Sequence, residues 1–164
     1  MPLLPYRKLK LRSCLPAAQV AEVLANSVEP RRWLRLGSGR CPFEGTVKGF
    51  EFDVQRIISY RNSFLPQIRG TITSEPYGSC ITITMRLHIA VLIFMSVWFG
   101  GVLLGGVAIA RAAFVRSAGV GSAAIPLGML LFGWILTAGA FSFEARKAEN
   151  LLISLVEGTR QGAD

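Results

Sequence analysis

The sequence predicts an α+β protein: a small antiparallel β-sheet domain with N- and C-terminal amphipathic helices and an inserted transmembrane helical hairpin. Three observations predict it. Residues 89–110 run for 22 positions without a charge, and residues 117–143 for a further 27. Between Phe43 and Leu87 apolar residues recur with period two. On either side of these stretches, residues 16–28 and 144–157 carry apolar residues at helical spacing. The expected organisation is a cytoplasmic domain at 1–87, a hairpin at 88–143 with helices near 89–110 and 125–143, and a tail at 144–164 that packs back on the sheet.

In chain order, the start is not expected to act as a signal peptide. Arg7, Lys8, Lys10 and Arg12 interrupt any apolar run, and Pro2 and Pro5 intrude. Leu9, Leu11 and Ser13 alternate with basic residues, as in a short first strand. Leu15-Pro16 opens a helix to about Val28, with Val20, Val23, Leu24 and Ser27 on one face and Glu22, Asn26 and Glu29 elsewhere; Pro30 ends it. Residues 31–40, with four arginines, Trp33 and two glycines, read as a solvated basic loop.

Phe43, Gly45 and Val47 then share a face, and Lys48-Gly49 makes a turn. Phe50, Phe52 and Val54 point one way, and Glu51, Asp53 and Gln55 the other. Ile68, Gly70 and Ile72 repeat the pattern. After a turn at Glu75-Pro76-Tyr77-Gly78, Ile81, Ile83, Met85 and Leu87 oppose Cys80, Thr82, Thr84 and Arg86. This is an antiparallel meander with one apolar face, and that face needs a cover. The first helix and the tail are the candidates. The tail offers Ala145, Ala148, Leu151, Leu152, Leu155 and Val156 on one side and Glu144, Lys147, Asn150 and Ser154 on the other, with Gly158 as its stop. A sheet so covered is similar in outline to helix-grip lipid-binding folds, an analogy of fold alone.

Each uncharged run meets the roughly 20 residues a helix needs to cross a bilayer. Pro126 suits a first helical turn, so the second span is placed at 125–143 and the turn at 112–124. Lipid tails are as apolar as leucine, so close packing must hold the two helices together, and small residues permit it. Gly101 and Gly105 form a GxxxG spacing, and Gly128 and Gly133 offer small positions on the partner. Such glycines serve the hairpin itself or a homodimer.

The net charge is +8. Thirteen basic against six acidic residues precede the hairpin, which favours both termini in the cytoplasm; Arg111 and Arg116, between the spans, count against it. So basic a chain invites nucleic acid, but no recognition helix, zinc finger or RNP signature is present, and anionic lipid headgroups are the expected counter-charge. Cys14, Cys41 and Cys80 are odd in number and lack CxxC spacing, so neither a disulfide framework nor a zinc site is expected.

One motif stands out between two strands: Tyr60-Arg61-Asn62-Ser63-Phe64-Leu65-Pro66. With Phe43 to Val47, His88, Trp98-Phe99 and Pro126 to Met129 in order, the chain resembles a group of uncharacterised bacterial two-helix integral membrane proteins that share an RNSF-x-P pattern. The resemblance covers roughly residues 43–157 and implies no known activity. Arg61, Asn62 and Ser63 are candidates for anion contact, since Arg pairs with phosphate and a turn aims backbone N–H groups at it; alternatively these polar side chains satisfy the loop's own backbone. His88, the only histidine, sits at the strand-to-helix junction as an interfacial anchor or a loop hydrogen-bonding group. No catalytic constellation assembles, and no metal or cofactor is expected. Glu51 and Asp53 share the wet face of a strand, and neither uncharged run holds an ionisable residue. The expected function is a non-enzymatic membrane protein whose basic domain binds lipid headgroups, an amphiphile or a protein partner. A structural subunit of a membrane complex comes second, and a membrane-bound hydrolase third.

Overall fold

A computed structural model describes residues 5–31, 41–60, 62–115 and 124–161. Arg61, most of the 31–40 loop and Arg116 lie outside the described residues. The elements are β1 (Tyr6–Ser13), α1 (Ala17–Asn26), β2 (Val28–Glu29), β3 (Phe43–Lys48), β4 (Glu51–Arg56), β5 (Gln67–Glu75), β6 (Gly78–Arg86), α2 (Ile89–Val115), α3 (Ala124–Leu155) and β7 (Gly158–Gln161).

The seven strands form one sheet in the order β2-β3-β4-β5-β6-β1-β7. All neighbours are antiparallel except β2 and β3. The class is α+β. The alternation read from the sequence sets the faces: Leu9, Leu11, Phe52, Val54, Ile68, Ile72, Ile81, Ile83 and Met85 are buried on one side. Val20 and Leu24 of α1 cover that side together with Phe141, Ala145, Ala148 and Leu152 of α3. Each fully buried aliphatic or aromatic side chain contributes about 1.5–3 kcal/mol, so a domain this small depends on both helices for its core. Phe50 departs from the pattern. It sits in the β3–β4 turn ahead of the strand and is half exposed.

Two strands were not foreseen, β2 and β7. At two and four residues, neither is long enough to show a period, and both exist because of their neighbours. The helix stop also differs from expectation. Glu157, not Gly158, takes the left-handed conformation, with φ 48°. Gly158 begins β7, where a Cβ would stand 3.3 Å from the Arg12 carbonyl oxygen and 3.0 Å from Val156 Cγ2.

α2 and α3 are both long and apolar enough to cross a membrane. Unlike a soluble core helix, α2 leaves Ile93, Phe94, Val97 and Leu104 exposed. α3 is one unbroken helix of 32 residues, about 48 Å long at 1.5 Å per residue. It joins the stretch expected as a second span, 125–143, to the tail helix expected from 144. Charge returns at Glu144, but no glycine or proline interrupts residues 140–155, so the backbone continues through the change of composition.

The shielded positions of α2, Leu92, Met95, Phe99, Val102 and Gly106, recur in steps of three and four, as do Pro126, Leu130, Gly133 and Thr137 of α3. That spacing lets the side chains of two helices interlock along one seam. Of the four glycines expected in helix packing, Gly133 lies under the Trp98 ring, where a Cβ would come within 2.4 Å. Gly101, Gly105 and Gly128 have nothing within 4 Å of an added Cβ. Gly106, against Pro126 at 2.9 Å, takes the close-approach role instead. Thr137 satisfies its hydroxyl on the Gly133 carbonyl at 2.7 Å.

Candidate functional site

The chemistry concentrates where α3 passes from its apolar length onto the sheet. Glu144, expected on the polar face, is 1% exposed. Arg56, the last residue of β4, donates from Nη2 to Glu144 Oε2 at 2.5 Å. The Tyr60 hydroxyl donates to Oε1. Arg56 Nη2 also lies 3.3 Å from the Tyr60 oxygen, while Arg56 Nε is buried without a hydrogen-bond partner. The bond to the Glu144 carboxylate, reinforced by desolvation, holds the Tyr60 phenol above its ordinary pKa.

Five residues further on, Glu149 is 4% exposed. It meets Arg7 of β1 at 2.6 Å and Arg160 of β7 at 3.7 Å. A step of five residues turns a helix by about 140°, so the two carboxylates leave α3 on opposite flanks. One reaches β4 and the other reaches the β1–β7 edge. A buried charge persists only with a partner, and each carboxylate has at least one guanidinium. The two pairs fix the rotation of α3 over the sheet.

Beside the second pair lies a groove of about 480 Å³ between α3 and the β1–β7 edge. Arg7, Arg146 and Arg160 stand at one end. Trp134, Ile135, Ala138 and Gly139 line the other, along the apolar length of α3. Phe143 lies between them and carries Lys147 Nζ 4.1 Å above its ring, a cation–π contact. Arg146 is exposed and has no hydrogen-bond or ion-pair partner among the described residues. The groove therefore joins excess positive charge to an apolar wall.

The residues singled out from sequence fall elsewhere. Asn62 Oδ1 accepts the Phe64 N–H at 2.9 Å, an Asx turn that satisfies the loop's own backbone. Ser63 is exposed, and Leu65 and Pro66 anchor the loop from the buried side. His88 opens α2: its Nδ1 accepts the Ala90 N–H at 3.1 Å, and its carbonyl accepts from Val91 and Leu92. It caps the helix, and no hydrogen bond joins it to Ser63 or Cys80 among the described residues. Asp53 is held by Arg69 at 2.8 Å and Arg31 at 3.3 Å on the uncovered face of the sheet. No group of three or more His, Cys, Asp or Glu that could hold a metal ion occurs among the described residues.

Sequence reasoning missed Arg7, Arg56, Glu144, Arg146, Glu149 and Arg160. A signal existed for three of them. Arg7 is in phase with Leu9 and Leu11, so alternation sends it inward. Glu144 and Glu149 fall within the stripe that holds Ala145, Ala148 and Leu152, and acids in an apolar stripe need basic partners. Arg160 carried none, because β7 is too short to show a period. No protein family, curated protein or solved structure matches the chain.

Proposed function

We propose that this chain is an integral protein of a bacterial inner membrane, crossing twice through α2 and α3 with both termini in the cytoplasm. On this reading its role is non-enzymatic: the basic domain binds anionic headgroups, an amphiphile or a partner at the inner leaflet. The observation that carries the reading is the continuity of α3. The stripe that packs on α2 through Gly133 continues into the sheet core through Phe141, Ala145, Ala148 and Leu152. One continuous helix thus joins the bilayer-length half to the domain, and on this reading it keeps the domain at the surface. Exposed apolar side chains along both helices support burial in lipid. Tyr6, Gln67 and Arg86 align in register at the sheet edge from which α2 leaves, and Arg7 follows beside them. Basic residues at this level attract an anionic leaflet by about 1 kcal/mol each.

The protein should resist carbonate extraction, and reporters fused at residues 1 and 164 should both respond as cytoplasmic. Release by carbonate, or termini on opposite sides, would overturn the proposal. A structural subunit of a membrane complex is the second reading, favoured by the open space around Gly101 and Gly105 on α2. In-membrane crosslinking that recovers another protein in constant ratio supports it, and recovery of the uncrosslinked chain alone counts against it.

A further inference from the structure

We infer that the groove between α3 and the β1–β7 edge holds one anionic phospholipid, with its phosphate on Arg7, Arg146 and Arg160 and an acyl chain along residues 134–139. The inference rests on the membrane reading above and gives its headgroup binding a place. Three guanidinium groups line the polar end with a single carboxylate beside them, Glu149, which pairs with Arg7 and Arg160 and leaves Arg146 unpaired among the described residues. The excess of two positive charges calls for an anion, and guanidinium groups suit phosphate oxygens geometrically.

The opposite end selects what the anion is attached to. Trp134, Ile135, Ala138 and Gly139 offer no charge, and an added Cβ at Gly139 would meet nothing within 4 Å. A soluble phosphate compound leaves that wall bare. From Arg146 to Trp134 the helix rises about 18 Å, close to one leaflet, or half of the ~30 Å hydrocarbon core. A phosphate at the arginines therefore puts an acyl chain at its ordinary depth. Glu149 has a further consequence: it orients Arg7 and Arg160 before the lipid arrives, which lowers the ordering cost of binding. Arg146 needs no such support, since it stands at the mouth of the groove, where the headgroup enters.

The test uses the full-length protein in detergent, with bound lipid counted by native mass spectrometry. Phosphatidylglycerol, phosphatidylcholine and inorganic phosphate are added in separate arms, and cooperative melting checks the fold of each variant. One phosphatidylglycerol per chain is expected, with phosphatidylcholine weaker by about tenfold, the equivalent of one charge-assisted contact. Arg146→Gln should weaken phosphatidylglycerol about tenfold, and Gly139→Leu, which fills the apolar end, should weaken it too. Lys10→Gln makes the same change in net charge on the uncovered sheet face and should leave binding intact. Equal losses from Arg146→Gln and Lys10→Gln would reduce the contact to diffuse electrostatics and overturn the inference. So would unchanged binding in both groove variants, equal binding of the two lipids, or displacement of the lipid by an equal concentration of phosphate. Carbonate extraction reads the membrane proposal separately: a chain that resists it but retains no phosphatidylglycerol defeats the groove alone.

Discussion

Residues 124–143 and 144–155 share one helix and one shielded stripe, yet they sort their side chains in opposite senses. In the first part the large apolar groups, Leu127, Leu131, Phe132 and Ile135, point outward, while Gly133 and Thr137 are shielded. In the second part Arg146, Lys147 and Asn150 point outward, and Ala145, Ala148 and Leu152 are buried with Glu144 and Glu149. The first part packs by close approach, with Gly133 under the Trp98 ring, as small residues permit. The second part packs by hydrophobic burial, and it admits charge only where an arginine meets it. One helix thus follows two sets of rules without a break in its backbone.

Three tests probe that contrast, beginning with the largest effect. Glu144→Ala leaves Arg56 buried without its partner, and breaking such a pair costs about 3–5 kcal/mol. Thermal unfolding of the purified protein should fall sharply, and Arg56→Leu together with Glu144→Leu should recover most of the loss. If the single change is neutral, the pair does not clamp α3 to the sheet. Gly133→Val acts on the other half. Its Cβ would enter the Trp98 ring, and overpacking of this kind costs about 1–3 kcal/mol. Crosslinking between α2 and α3 should weaken while the sheet domain keeps its protease resistance. A matching loss in both regions would mean that the two halves do not pack independently.

The smallest effect is a titration. Tyr60 has its pKa raised, first by its hydrogen bond to Glu144. A phenol raised in the folded state contributes stability that is complete below its unfolded value, near 10, and is lost as pH rises through the folded value. Phenolate absorbance should therefore show one tyrosine ionising later than free tyrosine, and Tyr60→Phe should remove that step. Glu144→Gln should move it back toward 10, and an unmoved step would assign the shift to burial.

Much of the sheet was legible because a period of two needs only the chain's own residues. Ile81, Ile83 and Met85 went inward as alternation requires, and the 89–110 and 117–143 runs marked the long helices. The functional junction was less legible. Glu144 reads as polar by type; its place in the apolar stripe hinted at burial, but the partner that satisfies it, Arg56, lies 88 residues away. The eye also fell on the Arg61-Asn62-Ser63 loop, whose Asn62 closes its own turn, while Arg7 hid among basic neighbours that point the other way. Gly101 and Gly105 matched a packing pattern, but the register of α2 against α3 turned Gly106 inward instead. Pattern reveals which residues can approach a partner closely; the partner decides which of them do.

The strand order carries a consequence for biogenesis. β1 lies between β6 and β7, and the core takes Ala145, Ala148, Leu152 and Val156 from the chain beyond the hairpin. A ribosome that has released residues 1–87 has delivered six of the seven strands, but only one of the two helices that cover them. The sheet's apolar face stays open until α2 and α3 have been made and the last turns of α3 return to it. The domain is therefore finished by its final residues, and a chain whose hairpin goes astray exposes a sticky sheet to the proteases and chaperones that patrol the cell.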